Sequence, residues 1–428
     1  MHQNRAGGRR KRTSRKGPFL AFLFLCIAAA LGLLLFRVWN QQQEATETSP
    51  QPDAKLVQQE PEKSEGDKPV APENTTSPVE RRAQEILKGM TLREQVCQLF
   101  IVTPEGLTGI SGPATAAGRT TQSALENNPV GGLIYFANNL VTPEQTMEMI
   151  QNSQSYSKLG LLISVDEEGG TVSRLGRNTA FSVTKFSPMG EIGDDQGAFD
   201  VGATLGRELS SYGFNLDFAP VADVNTNPSN SVIGSRAFSS DGATAAQRVA
   251  AAVRGFHSSG MLCALKHFPG HGDTATDSHS GYAQTNKTWE ELMQVEMLPF
   301  LSGIREGADL VMVGHIAAPR VTGDQTPASL SYEMITNRLR GELGFTGVVC
   351  TDAMNMGAIF QAYTSAQAAV KAIQAGVDIL LMPEDLNQAV QGLLDAVNDG
   401  TLTQARIQES VLRILELKLE NGIIPLEA

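Results

Sequence analysis

The chain has 428 residues, enough for two average domains or one large α/β barrel. Residues 1–40 hold eight of its 34 Lys and Arg and no Asp or Glu, which leaves 26 basic residues against 46 acidic ones in the rest. An acidic body with few aromatic residues lacks the basic stripe and the stacking platforms of nucleic-acid-binding proteins, so we expect no nucleic-acid partner.

Residues 1–17 are predicted to be a basic cytoplasmic segment, and residues 18–38 a transmembrane helix. Seven Lys or Arg precede an apolar run of 19 residues, near the length that spans a bilayer. The positive-inside rule places the N-terminus in the cytoplasm and the remainder outside the plasma membrane. A cleaved signal peptide is the alternative, but such peptides usually have a shorter apolar region that ends in small residues. We therefore expect an uncleaved, single-pass anchor.

Residues 39–78 are predicted to be a disordered linker. This stretch is rich in Gln, Glu, Pro, Ser and Thr and almost free of large apolar residues, so it cannot bury enough apolar surface to fold. It is expected to hold the following domain away from the membrane.

Residues 79–425 read as a single catalytic domain with a (β/α)8 TIM-type barrel. Short apolar runs alternate here with amphipathic helical stretches, which is typical of a parallel sheet with crossover helices. A doubly wound nucleotide-binding sheet typically carries a GxGxxG motif after its first strand, and this chain has none there. The eight predicted strands are Cys97–Val102, Gly132–Phe136, Leu161–Val165, Leu216–Ala219, Leu262–Lys266, Leu310–Gly314, Gly347–Thr351 and Ile379–Met382.

Polar and acidic residues follow most of these strands. DEEGG begins at Asp166, PVADVNTNP at Pro220, DAMNMG at Asp352 and PEDL at Pro383. One such residue is readily explained as a helix cap. Their recurrence at strand after strand instead predicts an active site at the carboxyl ends of the barrel strands.

The cysteines give no sign of a disulfide framework or a zinc motif. Cys26 lies in the N-terminal apolar run, and Cys97, Cys263 and Cys350 are far apart in separate apolar stretches with no CxxC pair. We interpret the last three as small buried core residues.

The segment 266–281, KHFPGHGDTATDSHSG, holds three of the six histidines of the chain. Three interpretations are open. The side chains are loop residues bonded to the backbone, or metal ligands, or a device for proton transfer. The metal interpretation draws on His267, His271, Asp273, Asp277 and His279, but the chain has no HExxH and the glycines indicate turns rather than a helix that presents two ligands.

The proton-transfer interpretation begins with Asp277 and His279. In an extended Asp-x-His the two side chains fall on the same side, so the carboxylate can fix the tautomer of the imidazole and raise its basicity. Such a pair can protonate a leaving group and then deprotonate water. Asp352, at a strand end, is the best candidate for a nucleophile on the opposite face.

The segment KHFPGHGDTATDSH (266–279) resembles the signature of the NagZ-like β-N-acetylglucosaminidases of glycoside hydrolase family 3. Further segments fall in the order of that family: DEEGGTVSRL (166–175), DFAPVADVNTNP (217–228), IGSRAFSSD (233–241) and TDAMNMGAI (351–359). The resemblance covers roughly residues 79–425. Glu167 departs from it, because many relatives carry Gln there.

By position, the resemblance implies a retaining exo-β-N-acetylglucosaminidase that works by double displacement, with Asp352 as nucleophile, His279 as general acid and base, and Asp277 as the partner of His279. It also implies a set of residues that hold the sugar hydroxyls: Asp166, Arg174, Arg236, Lys266 and His267. No metal or other cofactor is implied. A histidine suits proton transfer near neutral pH because its ordinary pKa is about 6.5.

The implied substrate is a glycan with a terminal non-reducing N-acetyl-β-D-glucosamine, and outside a bacterial membrane this points to peptidoglycan fragments. We expect a monomer. The alternatives are a β-glucosidase or β-xylosidase of the same family, a metal-dependent hydrolase, and a barrel that binds cell-wall glycans without cleaving them. Both water and phosphate are open as acceptors of the glycosyl group.

Overall fold

The computed structural model describes residues 76–274 and 283–427. The strands in these ranges are β1 Phe100–Val102, β2 Gly132–Ile134, β3 Leu162–Val165, β4 Leu216–Asp217, β5 Leu262–Phe268, β6 Ala283–Gln284, β7 Leu310–Val313, β8 Ile316–Ala317, β9 Val348–Thr351 and β10 Leu380–Leu381. Eight of them are parallel and form one sheet in the order β10-β1-β2-β3-β4-β5-β7-β9, and a bridge between Cys350 and Ile379 joins its two edges into a barrel. A further parallel pair, β6 and β8, lies outside it.

Helices connect the strands. The α-helices are α1 Pro78–Lys88, α2 Leu92–Cys97, α3 Pro104–Thr108, α4 Arg119–Asn127, α5 Pro143–Tyr156, α6 Asp195–Ser211, α7 Gly242–Ser258, α8 Trp289–Gln294, α9 Met297–Arg305, α10 Pro319–Thr322, α11 Gly357–Phe360, α12 Ser365–Ala375, α13 Leu386–Asn398 and α14 Gln404–Glu420. Glu333–Glu342 is a π-helix, and short 3₁₀ turns occupy Met189–Glu191, Gly234–Arg236 and Ala328–Leu330.

The barrel strands are buried along their whole length because helices cover one face and the barrel interior the other. Every residue of β1, β2, β3, β5, β7 and β9 is buried. Strands buried on both faces read as continuous apolar runs rather than alternating ones, which is the pattern that the sequence shows. The predicted barrel is confirmed.

Each of the eight predicted strands differs from the observed one by one to three residues at one or both ends, and two of these differences have a local reason. The first predicted strand began at Cys97, but Leu92–Cys97 is a helix, begun by a capping box in which Thr91 and Glu94 bond each other's backbone N–H. The fourth was drawn to Ala219, but β4 ends at Asp217. Pro220 has no N–H for a sheet hydrogen bond.

The predicted cytoplasmic segment, transmembrane helix and most of the linker lie outside the described residues. In the part of the chain that the structure describes, no helix combines the length and the apolar character that crossing a bilayer requires. The first described helix begins at Pro78, where the side chain of Ser77 accepts a hydrogen bond from the N–H of Glu80.

Candidate active site

A cavity of about 240 Å³ opens at the carboxyl ends of the barrel strands. Six of the residues predicted from the sequence line it together: Asp166, Arg174, Arg236, Lys266, His267 and Asp352. They come from the ends of β3, β5 and β9 and from the loops after β3 and β4. The structure therefore brings these six side chains to one place, while their individual roles stay predictions.

Lys266 lies at the centre of the charged side chains. Its Nζ is 2.7 Å from Oδ1 of Asp166 and 2.6 Å from Oε1 of Glu168, and the residue is only 2% exposed. Burial opposes the charge of this ammonium, but the two carboxylates outweigh it and hold the pKa of Lys266 above its usual value. Lys266 is therefore a permanent cation next to the cavity.

Two arginines complete the charged network. Arg236 forms a bidentate pair with Glu168, with both N–O distances at 2.8 Å. Arg174 lies 3.6 Å from Asp166 and stacks over the ring of Phe136, 5.3 Å from its centroid. Burial opposes the charge of Glu168, but Lys266 and Arg236 together hold its pKa well below the usual range.

His267 is oriented by a buried carboxylate. Its Nδ1 lies 2.7 Å from Oδ2 of Asp223, and the backbone N–H groups of His267 and His271 donate to Oδ1 of the same side chain. Burial opposes the charge of Asp223, but His267 outweighs it and the pKa of this carboxyl lies below its usual value. An ionised carboxylate only accepts hydrogen bonds, so Nδ1 of His267 carries a proton, and Nε2 lies 3.4 Å from a guanidinium nitrogen of Arg236.

Replacing Asp223 by Asn is expected to lower kcat/KM by about 10- to 100-fold, the range found when a metal-bound histidine loses its carboxylate partner. The amide offers an N–H₂ where His267 and the backbone need an acceptor, so the imidazole loses its fixed tautomer. Steady-state kinetics on the full-length chain measure the effect, with the melting temperature as a check on folding. A change below threefold in a stably folded variant would contradict this role for Asp223.

Asp352 follows β9 directly and is partly buried at the cavity. Its Oδ1 accepts a hydrogen bond of 2.8 Å from the N–H of Ala353. Burial alone would raise the pKa of Asp352, but His267, His315, this N–H group and Lys266 together hold it below the usual value. The carboxylate is thus kept ionised, the state that a nucleophile requires.

The other two predicted catalytic residues, Asp277 and His279, lie outside the described residues. At the near side of that segment, Thr274 Oγ1 lies 2.8 Å from Nδ1 of His271, and Asp273 accepts a hydrogen bond from the hydroxyl of Thr285. Among the described residues, His267, His271 and Asp273 do not come together as a three-ligand metal group.

The sequence reading missed three contributors to the site. Glu168 links Lys266 to Arg236, and Asp223 orients His267. His315, buried after β7, has Nε2 3.0 Å from the carbonyl oxygen of Ala353, beside Asp352. All three follow barrel strands, so the rule that selected Asp166 and Asp352 applied to them as well.

Glu167 turns away from the cavity. Its carboxylate accepts hydrogen bonds from the backbone N–H groups of Arg174, Leu175 and Gly176 and from the hydroxyl of Ser173. These hydrogen bonds hold the conformation of the loop that carries Arg174. Asp385, in the PEDL segment, likewise has a local role, because it caps helix α13 through the N–H of Gln388.

Comparison with known proteins identifies the family of this chain. The family model described as the glycosyl hydrolase family 3 N terminal domain matches residues 91–417. The chain belongs to glycosyl hydrolase family 3. The predicted resemblance is thereby confirmed, as is the prediction of a glycosidase at the level of the family.

Individual relatives of this family 3 chain differ in length. It is 36% identical to β-hexosaminidase A of Pseudoalteromonas piscicida over 68% of its own length, but it spans only about half of that protein (53%). It is 34% identical to a β-hexosaminidase of Stenotrophomonas maltophilia, over 72% of its own length and 98% of the relative.

A solved family 3 structure has the same fold. The β-N-acetylglucosaminidase of Paenibacillus sp. str. FPU-7 superposes with a TM-score of 0.73 at 37% identity. The match covers 78% of this chain and 63% of that one.

Proposed function

We propose that this chain is a retaining exo-β-N-acetylhexosaminidase that releases terminal N-acetylglucosamine. The observation that carries the proposal is the carboxylate of Asp352 at a small cavity that is also lined, among the described residues, by two further carboxylates and by three Lys or Arg side chains. Such a lining both donates to and accepts from sugar hydroxyls without selecting a net charge. The two relatives named β-hexosaminidase support the N-acetylated sugar.

In the proposed mechanism Asp352 attacks C1 of the sugar while His279, assisted by Asp277, protonates the leaving oxygen. The C1–O bond to the leaving group breaks as the ester bond to Asp352 forms. Water then attacks C1, gives its proton to His279 and releases Asp352, so the product keeps the β configuration. The sugar would be held through its hydroxyls by Asp166, Arg174, Arg236, Lys266 and His267.

We further propose that the substrates are fragments of peptidoglycan at the outer face of the plasma membrane. The support is the basic N-terminal segment followed by an apolar run of 19 residues, then a polar linker, then the barrel. Membrane fractionation with protease protection tests this placement. Recovery of the chain in the cytosol alone would contradict it.

The activity is tested by incubating the full-length chain with the p-nitrophenyl β-glycosides of N-acetylglucosamine, glucose and xylose, with and without EDTA and with and without phosphate. We expect cleavage of the N-acetylated substrate that is insensitive to EDTA. Preference for glucose or xylose would replace the proposal by another family 3 specificity. Sugar 1-phosphate as the product would indicate a phosphorylase, and binding of the glycan without turnover would indicate a binding barrel.

A further inference from the structure

A second group of potential ligands lies at the other end of the barrel. His257 is in the last turn of α7, Cys263 is the second residue of β5, and Asp309 directly precedes β7. In the described part of the chain this is the one group of three or more His, Cys, Asp or Glu residues whose ligand atoms all lie within 4.8 Å of one another. It lies at the amino ends of β5 and β7, whereas the cavity lies at the carboxyl ends.

The separations of the ligand atoms suit a tetrahedral ion. Nε2 of His257 is 3.8 Å from Sγ of Cys263 and 2.9 Å from Oδ2 of Asp309. With Zn–S bonds near 2.3 Å and Zn–N or Zn–O bonds near 2.0–2.2 Å, tetrahedral ligands lie roughly 3.3–3.7 Å apart. These two separations fall on either side of this range, and shifts of a few tenths of an ångström bring both into it. Sγ of Cys263 and Oδ2 of Asp309 also lie within 4.8 Å of each other.

A hydrogen bond holds Cys263 and Asp309 in place, and the exposed side of His257 gives an ion access from solvent. Oδ2 of Asp309 also accepts a 2.9 Å hydrogen bond from the N–H of Cys263, which fixes the carboxylate against β5. Cys263 is fully buried, but the side chain of His257 is 33% exposed and admits an ion from solvent. The pKa of the Cys263 thiol is raised by burial, and a bound cation reverses this by stabilising the thiolate.

We propose that His257, Cys263 and Asp309 form a site for Zn²⁺ or another thiophilic divalent cation. A thiolate and an imidazole favour such ions over Mg²⁺ and Ca²⁺, which prefer oxygen ligands. Three protein ligands leave a fourth position for water. The ion joins the end of α7 to β5 and β7, so its effect is on the stability of the barrel and not on the glycosidase reaction.

The test uses the full-length chain without a histidine tag, stripped with EDTA and then titrated with Co²⁺ or Zn²⁺. We expect one equivalent of Co²⁺ to produce a sulfur-to-cobalt charge-transfer band in the near ultraviolet. We also expect Zn²⁺ at a hundredfold excess over its Kd to raise the melting temperature by about 4 °C. Glycosidase activity well below the melting temperature should not change.

Three variants make the test specific. Cys263→Ala and His257→Gln should both lose the band and the thermal shift, and His257 is exposed enough that its replacement leaves the core intact. Cys97→Ala removes another buried thiol and should retain both signals. Absence of the band and shift in the parent, or their persistence in both the Cys263 and His257 variants, would overturn the proposal.

Discussion

Replacement of Asp352 by Gly is expected to reduce kcat/KM on the N-acetylated substrate by about a thousandfold or more, because the covalent step loses its nucleophile. Sodium azide should restore much of the lost rate, since the anion fits the space that the carboxylate leaves. Azide then attacks C1 from the face that Asp352 occupied, and the product is the α-glycosyl azide. NMR of the anomeric proton identifies it.

The matched control for this experiment is His279→Gly. In that variant Asp352 still forms the glycosyl-enzyme, and azide attacks the intermediate from the opposite face to give the β-glycosyl azide. The anomer of the product therefore distinguishes the loss of a nucleophile from the loss of a general acid and base. A β-azide from the Asp352 variant, or full activity without azide, would contradict the assignment of Asp352. Misfolding is checked by melting temperature. Among the described residues, the hydrogen bond of the Asp352 side chain is local, from the N–H of Ala353.

The barrel could be predicted from the sequence because its strands carry a strong local signal. A strand that is buried on both faces must be apolar throughout, so each one stands out against the polar loops. The ends were less certain, because they depend on single interactions. The capping box of Thr91 and Glu94 begins a helix that ends at Cys97, the residue at which the first predicted strand began. After β4, Pro220 has no N–H to donate to a sheet hydrogen bond.

The sequence predicted which segments meet at the site, but it did not predict which of their side chains point into the cavity. In the triplet 166–168 the sequence shows three consecutive carboxylates. The structure turns Asp166 and Glu168 to the cavity and Glu167 to the backbone of the following loop, as alternation along an extended chain would give. Nothing in the triplet itself shows that this loop needs an acceptor at position 167.

Clusters that are assembled from distant elements were the hardest to predict. His257, Cys263 and Asp309 come from a helix end, a strand and a loop, and their spacing matches no short metal motif. Cys263 was correctly predicted to be buried, but its neighbours depend on how α7 and β7 pack beside β5. Asp223 was missed for the same reason, because its partner His267 is 44 residues away.

Replacement of Glu168 by Gln is expected to lower the free energy of unfolding by about 3 kcal/mol at pH 7 and kcat/KM by about a hundredfold. Glu168 is 4% exposed and bonds both Lys266 and Arg236. The variant leaves the buried Lys266 and the partly buried Arg236 with too little negative charge nearby, and its amide N–H₂ repels one of these cations. Both side chains then move from the positions at which they would hold the sugar. Urea denaturation and steady-state kinetics measure the two effects.

The pH dependence identifies the cause of this loss. The pKa of Glu168 is lower in the folded chain than its ordinary value of 4.5, so its carboxylate contributes stability that is present above about pH 4.5 and is lost as pH falls through the folded-state pKa. The difference in the free energy of unfolding between the parent and the Glu168→Gln variant should therefore be largest above pH 5 and should become smaller towards pH 3.

Glu296→Gln is the matched control, since Glu296 is also buried and also pairs with a lysine, Lys287. Burial raises the pKa of Glu296 despite this lysine, so its contribution to stability falls as pH rises from about 4.5 through the folded-state pKa. For the two variants, the difference from the parent in the free energy of unfolding should therefore change with pH in opposite directions. Parallel slopes, or a Glu168→Gln difference that does not change between pH 7 and pH 3, would mean that the carboxylate of Glu168 is not held ionised by Lys266 and Arg236.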